Sequence, residues 1–507
     1  MYISRLNNCL YPPEKLLTLS LTILAALLLT PVWGDETDLK LIPPIYQDAS
    51  VVASAFESYL VDESPEEKSI EERLAELEEN YTDLNDNYGK LEKNYSELKG
   101  KLKNAAFSGH NESTMKVIGR IHEDYWAFPG NSPGTNAFET GDPTMTPQDR
   151  FGFRRLRFGV GGNLWKTMEY RIEMEFADPN EPEFRDAYLG WHDVPCLQTL
   201  LVGNQKRPYG LDHINSSRYN VFMERPFIIE GDDQDARRFG IQSYGYSEDL
   251  TWNWRYGVFN LRNIQDEGSY IGDHYQGQVA GRLATTFWYD EPSDGRGYGH
   301  FAISGTVADP DGTVTPGQSS SEAQFQTRPE ARSSSRWLNT GIISGTDTYQ
   351  LCGLENVWNF GSIQLVGEYQ GTMVDRKGFE DVYFHGGYAY IAYFLTGEFM
   401  PWDRETGQLA RPEPLENFFL VDTCNDGVRG GWGAWQVAYR WSYADYTDQD
   451  ILGGVGKSHT LGLNWYWNAY ARMQFNAIHG EIDDHAPVAG LTSGHYTILG
   501  TRFMVDF

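Results

Sequence analysis

The stretch TMEYRIEMEF, residues 167–176, carries the pattern that decides the fold. Its apolar side chains alternate with charged ones, and a period of two residues is that of a β-strand with two different faces. The apolar face holds Met168, Tyr170, Ile172, Met174 and Phe176, and the charged face holds Glu169, Arg171, Glu173 and Glu175. A soluble β-sandwich could also contain one such strand, with its apolar face on a core. How often the pattern recurs therefore decides between a sandwich and a membrane barrel.

The same alternation recurs through the chain, and its apolar face is repeatedly aromatic. It is found in LTWNWRYGVF at 250–259, in QVAGRLATTF at 278–287 and in GAWQVAYRW at 433–441. Aromatic residues make up 14% of the chain and there are 52 glycines, although the mean hydropathy is low. Many aromatic side chains in a polar chain are typical of a membrane barrel with aromatic belts at its two interfaces.

About sixteen strands are predicted, an even number that suits a closed up-and-down barrel. They are expected to start near residues 115, 150, 167, 183, 198, 237, 250, 276, 297, 340, 361, 385, 432, 456, 470 and 494. Short connections such as DVPC and YSED alternate with long ones at 127–149, 206–236, 261–275 and 307–339, as in outer-membrane barrels. The segment 399–431 breaks this rule, because it stands where a short turn is expected and is long.

The chain ends in TILGTRFMVDF, residues 497–507, which has the same two-faced pattern. In a barrel, Arg502 and Asp506 would face the lumen. The lipid-facing residues would be Leu499, Thr501, Phe503, Val505 and Phe507. This last strand must pair with the first, because an open sheet edge cannot persist in lipid. A terminal Phe in such a strand resembles the recognition end of outer-membrane barrel proteins.

Residues 1–34 are predicted to be a secretory signal peptide. Arg5 and Lys15 precede the apolar run LLTLSLTILAALLLTPVWG at 16–34, and a polar stretch follows it. The alternative is an uncleaved membrane anchor, but the run is barely long enough to span a bilayer and Thr, Ser and Pro31 interrupt it. Residues 35–65 are predicted to be a flexible acidic linker.

Residues 66–104 are predicted to form a short α-helical coiled coil before the all-β transmembrane barrel of residues 115–507. Large apolar residues recur with alternating steps of four and three over more than four heptads. This seam consists of Ile70, Leu74, Leu77, Tyr81, Leu84, Tyr88, Leu91, Tyr95, Leu98 and Leu102. The repeated tyrosine is wide for a two-stranded core, which favours a trimer. The alternative is a single amphipathic helix packed on the barrel.

Other classes of function find little support in the sequence. A net charge of −30 argues against nucleic acid as a partner. No P-loop, GxSxG or HExxH motif is present, so no enzyme activity is predicted, and no cofactor or metal is expected.

HGEIDDH at 479–485 matches no ligand spacing and is interpreted as a solvated strand end. DPDGT at 309–313 lacks the closing Glu of a calcium loop and is interpreted as a turn. Cys9, Cys196, Cys352 and Cys424 are scattered, so they are either isolated thiols or contain one disulfide.

Several long motifs, in order, resemble the phosphate-selective porin O and P family over about residues 115–507. They include RRLRFGVGGNLWKTMEYRIEMEF at 154–176, EFRDAYLGW at 183–191, VGNQKRPYGLD at 202–212, SSRYNVFMERP at 216–226, YFLTGE at 393–398 and GLNWYWN at 462–468. The coiled coil lies outside the family's barrel. It resembles N-terminal helices that tether some outer-membrane proteins to the cell wall.

The resemblance implies a homotrimer of sixteen-stranded barrels in the outer membrane, with the coiled coil in the periplasm. It implies passive conduction of phosphate or other small anions through a constriction formed partly by the third long loop. By motif, the constriction residues are Arg120, Arg154, Arg155, Asp186, His213, Ser216, Ser217 and Arg225. Arginine suits oxyanions because it is always charged and offers fixed donors, and an aspartate nearby lets a bound anion leave again.

Strand alternation places a further set of arginines on the lumen side. This possible anion path consists of Arg157, Arg171, Arg255, Arg282, Arg440, Arg472 and Arg502. Each of them could instead form a salt bridge with Glu or Asp in the lumen wall, since charged lumen walls are usual. The sequence leaves both interpretations open.

The chain departs from the family at His213, which stands where the family has a central lysine. Histidine is largely neutral at pH 7, and Lys206 could partly substitute. Beyond residue 114 the chain holds 31 basic and 51 acidic residues. A weakly selective general porin, whose coiled coil mainly tethers the outer membrane to the cell wall, is therefore the alternative function.

Overall fold

The fold is a closed antiparallel β-barrel of sixteen strands, each hydrogen-bonded to its neighbours in the chain. The computed structural model describes residues 113–233, 236–267, 275–310, 323–419, 421–422 and 428–507. The strands are β1 (Lys116–Asn131), β2 (Arg150–Leu164), β3 (Met168–Glu175), β4 (Glu183–Val194), β5 (Gln198–Lys206), β6 (Arg237–Tyr246), β7 (Trp252–Asn260), β8 (Gly277–Tyr289), β9 (Gly297–Ala308), β10 (Thr346–Phe360), β11 (Ile363–Arg376), β12 (Val382–Phe394), β13 (Ala434–Asp448), β14 (Ile451–Asn468), β15 (Ala471–His485) and β16 (Gly494–Asp506).

The barrel closes between its first and last strands. Arg120 of β1 lies opposite Asp506 of β16, and Tyr125 lies opposite Thr501. Beyond the last strand, the backbone of Phe507 exchanges hydrogen bonds with Gly119, at 2.9 and 3.2 Å. No strand edge of the barrel is left open, as a bilayer requires. The predicted all-β barrel of sixteen antiparallel strands is confirmed.

Most predicted strand starts agree with the structure to within three residues, and two do not. The strand expected near residue 340 begins at Thr346, because Thr340 and Ile343 pair instead with the loop residues Phe325 and Ala323. The strand expected near 456 begins at Ile451. The first six residues of this strand, ILGGVG, are rich in glycine and have too few side chains to show alternation.

The faces of the strands follow the predicted alternation. In β16, Phe503 is 42% exposed on the outer wall, whereas Arg502 is 1% exposed in the lumen. In β3, Ile172 faces outward and Glu173 and Glu175 are buried in the lumen. The outer wall is therefore apolar and the lumen wall is polar and charged, which is the reverse of a soluble sandwich.

The two ends of the barrel differ in their connections. The start of β1, the end of β16 and most of the short connections lie at one end, which we call the turn side, and most of the long connections lie at the other end, the loop side. The helices belong to loop-side connections: α1 (Pro133–Thr140), α2 (Leu211–Ile214), α3 (Phe227–Asp233) and α4 (Ile264–Glu267). A single 3-10 turn (Glu291–Ser293) lies on the turn side.

The connection between β5 and β6, which we call the constriction loop (207–236), folds into the lumen. Phe227, Ile228 and Ile229 of α3 are completely buried, as are Trp337 and Leu338 of the connection between β9 and β10. These side chains form an apolar core inside the barrel with residues of the lumen wall. Since burial of large apolar side chains is strongly favourable, this core fixes the constriction loop against one side of the wall.

On the opposite side of the barrel the strands are shorter, so the wall is lower there. Strands β3 to β7 contain between 8 and 12 residues, whereas β10 to β16 contain between 13 and 18. No part of the apolar core covers the inner face of β2 to β6 in the described residues; apart from Leu201, the buried side chains there are mostly charged or polar. The open space of the lumen therefore lies against the short strands.

The connection between β12 and β13, which we call the turn-side segment (395–433), is long and enters the barrel from the turn side. It forms the short strand pair Trp402–Asp403 and Gln408–Leu409. Met400 O accepts a hydrogen bond from Tyr298 Oη (3.0 Å), and Trp402 Nε1 donates to Thr286 Oγ1 (3.0 Å). The sequence correctly singled out this connection as an exception to the short turns.

Several predictions lie outside the described residues. They are the signal peptide (1–34), the linker (35–65), the coiled coil (66–104), Cys9 and Cys424. Cys196 and Cys352 are free thiols exposed on the barrel.

Among the residues that the structure describes, no helix combines the length and the apolar character needed to cross a bilayer.

Candidate functional site

A cavity of about 340 Å³ lies between the constriction loop and the short strands. Nine cationic side chains and one carboxylate line it. The cations are Arg120, Arg155, Arg157, Arg171, Lys206, Arg218, Arg225, Arg237 and Arg255, and the carboxylate is Asp186. Gln205, Gln242, Ser216, Ser217 and two tyrosines add hydrogen-bonding groups. The lining is thus strongly cationic although the whole chain is acidic.

Part of this positive charge is neutralised by carboxylates behind the lining. The Glu173 carboxylate lies among three arginines, 3.2 Å from Arg120 Nη2, 3.4 Å from Arg157 Nη1 and 2.7 Å from Arg171 Nη2. Asp186 accepts two hydrogen bonds from Arg237, at 2.8 and 3.1 Å. Alternation places these groups on the same lumen face of neighbouring strands. They hold the guanidinium groups in fixed positions.

Three of the remaining cations lack such a partner. Among the described residues, no carboxylate lies within salt-bridge distance of Arg155, Arg255 or Lys206. Arg155 Nη1 lies 3.3 Å from His122 Nδ1, and Arg255 lies over the ring of Tyr244 at 5.1 Å. These three side chains contribute positive charge to the cavity that no salt bridge among the described residues neutralises.

Lys206 and Arg225 hold the constriction loop by its carbonyl groups. Lys206 Nζ donates to the carbonyl oxygens of His213 (3.1 Å), Ile214 (2.9 Å) and Asn215 (2.7 Å). Arg225 Nε donates to Asp212 O at 2.8 Å. These two cations thereby supply hydrogen-bond donors to the carbonyl oxygens of the loop.

The start of the constriction loop fits closely against the opposite wall. A Cβ added at Gly210 would lie 2.1 Å from Glu368 Oε2, so any larger residue would displace the Glu368 carboxylate. The backbone N–H of Asp212 donates to Glu368 Oε1 at 2.7 Å. This contact fixes α2, and the chain then turns so that Ser216 and Ser217 line the cavity, with Ser217 Oγ accepting from Arg120 Nη1 at 2.7 Å.

Six of the eight predicted constriction residues line the cavity: Arg120, Arg155, Asp186, Ser216, Ser217 and Arg225. Arg154 does not. The pairing of β1 with β2 shifts register between His122 and Glu123, so that Arg154 is an extra residue of β2. Its guanidinium binds Glu224 at 2.7 and 2.9 Å. Burial alone would raise the pKa of the Glu224 carboxyl, but Arg154 and Arg502 hold this pKa well below its usual range.

His213 also lies outside the cavity lining. It is buried on α2, with its ring 5.0 Å from that of Tyr209. Burial, and then the positive charges of Arg207 and Lys206, lower the pKa of His213 well below its usual value, so the imidazole is neutral at pH 7. Lys206, which donates to the His213 carbonyl oxygen at 3.1 Å, comes from β5 rather than from the loop.

The seven arginines of the predicted lumen path separate into two groups. Arg157, Arg171 and Arg255 line the cavity. The other four have fixed partners elsewhere in the lumen. Arg282 pairs with Glu355, Arg440 with Glu330, Arg472 with Tyr466 Oη and Asn220 O, and Arg502 with Asp124 and Glu224. Arg282, Arg440 and Arg502 thus form the salt bridges with Glu or Asp of the alternative interpretation, whereas Arg472 binds a hydroxyl and a backbone carbonyl.

Sequence reasoning missed several polar residues of the lining, among them Arg218, Arg237 and Gln408. Arg218 follows the serine pair within the motif at 216–226, and Arg237 starts β6 at the end of the constriction loop. Gln408 comes from the turn-side segment, and its neighbour Leu409 donates through its N–H to Asn215 Oδ1 at 3.0 Å. No local sequence pattern predicts that Gln408 lines the cavity, because its position depends on how a distant connection folds.

The predicted solvated strand end at 479–485 carries no metal cluster in the structure. His479 lies on the outer wall with Nδ1 3.1 Å from Thr497 Oγ1. Within the described part of the chain, no group of three or more His, Cys, Asp or Glu residues is arranged to hold a metal ion.

A closed barrel with an apolar outer wall, a polar lumen and an inward-folded loop around a charged cavity defines an outer-membrane porin, a channel and not an enzyme. The chain belongs to the phosphate-selective porin O and P family, whose model matches residues 121–507.

Two relatives illustrate how far the family resemblance extends. Porin O of Pseudomonas aeruginosa is 23% identical over 409 residues, which cover 73% of this chain and 84% of that protein. An uncharacterized protein of Caulobacter vibrioides is 24% identical over 364 residues, which cover 70% of this chain and 68% of that protein.

Two solved structures are also similar to this chain. The anion-selective porin from Comamonas acidovorans is 14% identical, with a TM-score of 0.46 over 78% of this chain and 100% of that one. The outer membrane channel DcaP of Acinetobacter baumannii is 11% identical, with a TM-score of 0.46 over 79% of this chain and 99% of that one.

Proposed function

We propose that the barrel conducts phosphate or other small anions by passive diffusion, and that the cavity beside the constriction loop is its selective site. The observation that carries this proposal is the charge of the lining, nine cations against one carboxylate. The family to which the chain belongs and its similarity to Porin O support the same substrate class.

The arrangement of the cations suits an oxyanion in transit. Guanidinium groups offer planar, permanently charged donors that match the geometry of phosphate oxygens. Arg155, Arg255 and Lys206 provide attraction that no carboxylate cancels, and the hydroxyls of Ser216 and Ser217 can replace part of the anion's hydration shell. Asp186 lies in the same lining and limits the depth of binding, so that an anion can leave.

The alternative function is a weakly selective general porin. In that case the carboxylates of Glu173, Glu175 and Asp186 would cancel most of the field of the arginines, and the barrel would serve chiefly as a membrane anchor. The two functions predict different signs of ion selectivity, so one electrical measurement separates them.

The decisive experiment is the reversal potential of the purified protein in a planar bilayer under a KCl gradient, followed by titration with phosphate. We expect a potential of the sign set by chloride, and a chloride current that phosphate reduces, because a divalent oxyanion competes for the cationic cavity. A potential near zero or of the cation sign, without block by phosphate, would identify the general porin. Sulfate and acetate serve as comparison anions of different charge.

We also propose that the protein is a homotrimer whose coiled coil contacts the cell wall from the periplasm. The heptad seam of residues 66–104 and the family resemblance support this proposal. Deleting residues 66–104 should abolish sedimentation of the protein with purified cell wall and leave single-channel conductance unchanged, because the barrel is a separate unit (111–507). Sedimentation that persists after the deletion would refute the tether.

A further inference from the structure

The turn-side segment leaves the lumen at the barrel rim and presents an apolar surface there. Leu415 N–H donates to Glu398 Oε1 at 3.0 Å, and Phe418 N–H donates to Trp467 O at 2.6 Å, at the end of β14. After these contacts the backbone lies on the turn-side rim. We call Leu415, Phe418, Phe419 and Trp432 the rim patch.

The rim patch is continuous with the outer wall of the barrel. The Phe418 ring lies 4.6 Å from that of Trp465 at 73°, and Trp465 stacks on Trp435 at 5.0 Å. Trp432 O accepts from the indole nitrogens of both Trp435 (3.2 Å) and Trp465 (2.8 Å). Trp435 and Trp465 lie opposite each other on β13 and β14 and share the outward face with residues such as Val437 and Leu461. The patch therefore extends the lipid-facing wall outward.

The largest side chains of the patch are exposed. Trp432 is 75% exposed, Phe419 66% and Leu415 58%. Three large apolar side chains so exposed within one connection are unusual on a surface that faces water. Trp and Phe are the residues that barrels place at the membrane–water interface, where an aromatic ring meets both acyl chains and water.

The charges beside the rim patch indicate which kind of lipid surface it would contact. Glu413 and Glu416 are exposed carboxylates within the stretch EPLENFF (413–419). An anionic lipid surface would repel these two carboxylates. A zwitterionic phospholipid interface offers apolar contact without that repulsion.

We propose that the rim patch inserts into the interfacial region of the turn-side phospholipid leaflet and anchors the turn-side segment there. The segment then has one end fixed at the membrane and its middle, with Gln408, fixed in the lumen. This function is independent of the ion selectivity of the cavity, because none of the patch residues lines it.

The test uses the full-length protein, with its native cysteines replaced by serine, in phosphatidylcholine vesicles. A single cysteine at Asn417→Cys, an exposed position within the patch, carries a fluorescent dye and leaves every aromatic side chain in place. The matched control is Asp294→Cys, an exposed position of another turn-side connection. Fluorescence is quenched either by iodide in water or by lipids with a nitroxide near the headgroup.

We expect the nitroxide lipid to quench the dye at 417 at least about twofold more than the dye at 294, and iodide to show the reverse order, since interfacial residues lie at headgroup depth. Replacing phosphatidylcholine partly by phosphatidylglycerol should not increase the quenching by nitroxide lipid. The double substitution Phe419→Ser and Trp432→Ser should bring the dye at 417 to the behaviour of the control.

Two results would overturn the proposal. Equal quenching at 417 and 294 would place the patch in water. Protection of the dye at 417 from both quenchers would mean that protein rather than lipid covers the patch. Single-channel conductance of each labelled protein reports whether the barrel is correctly folded.

Discussion

Replacing Arg155 by alanine is expected to weaken the block of chloride current by phosphate by about 10- to 100-fold. Arg155 lines the cavity, and among the described residues no carboxylate lies within salt-bridge distance of it. A hydrogen bond to a charged group contributes about 1.5–3 kcal/mol, and about 1.4 kcal/mol corresponds to a factor of ten in affinity. The concentration of phosphate that halves the current, measured in a planar bilayer, checks this prediction.

The stability of the Arg155→Ala barrel should not fall. A buried cation without a carboxylate partner costs desolvation energy that its neutral neighbour His122 does not offset. Arginine at this position is therefore explained by binding rather than by folding. An unchanged block by phosphate in a correctly folded variant would contradict the proposed role of Arg155.

The matched control is Arg376→Ala. Arg376 is also a strand arginine, but it binds Asp450 at 2.7 and 3.0 Å at the loop-side end of the barrel and does not line the cavity. Phosphate should block the chloride current of this variant as strongly as that of the original protein. The comparison separates a local effect at the cavity from the general loss of one positive charge.

Replacing Glu330 by alanine is expected to destabilise the folded barrel by about 3–5 kcal/mol, the usual cost of removing one partner from a buried ion pair. Glu330 is 0% exposed, and its Oε2 lies 2.7 Å from Arg440 Nη2 and 2.8 Å from Ser458 Oγ on the lumen wall. Its Oε1 accepts from the N–H of Phe227 at 3.2 Å, at the start of α3. Without this carboxylate the Arg440 guanidinium stays buried with its charge uncompensated.

The denaturant midpoint of the barrel, followed by circular dichroism, measures this loss. Because Glu330 joins a loop-side connection, the constriction loop and the lumen wall, the variant should also show noisier single-channel currents. The apolar double variant Glu330→Leu with Arg440→Leu should recover part of the stability, since it leaves no buried charge without a partner.

Glu230→Ala provides the control for the Glu330 variant. Glu230 lies on α3 and pairs with Arg336 at 2.7 Å and Arg328 at 3.4 Å, but its side chain is 22% exposed. Partly exposed ion pairs contribute about 0–1 kcal/mol. A loss of stability for Glu330→Ala no larger than that for Glu230→Ala would show that the buried ion pair does not hold the loops.

The sequence by itself determined the barrel, its strands and most of their faces. These properties are local, because a strand in a membrane barrel must alternate apolar and polar residues whatever its neighbours are. The alternation in TMEYRIEMEF (167–176) and TILGTRFMVDF (497–507) therefore identified the buried Glu173 and Arg502 before any pairing was known. The start of β14 was missed because glycines in ILGGVG (451–456) carry no side chain that could show a face.

Motif resemblance supplied part of the lining of the cavity, and its exceptions have physical causes. Arg155 and the serine pair of the constriction loop line the cavity as the motifs predict. A β-bulge where β2 pairs with β1 directs Arg154 to Glu224 instead of the cavity, and His213 is buried within the constriction loop. Neither event is visible from the residue's neighbours in the chain.

Only the tertiary structure decided which lumen charges remain uncompensated and which connections close the cavity. Arg171 and Arg440 have the same alternation in sequence, yet one lines the cavity and the other binds Glu330 of a distant connection. Gln408 reaches the cavity because the turn-side segment enters the barrel and meets Asn215 there. Such contacts join residues far apart in the chain, and local periodicity carries no information about the partner that a charged side chain meets in a closed lumen.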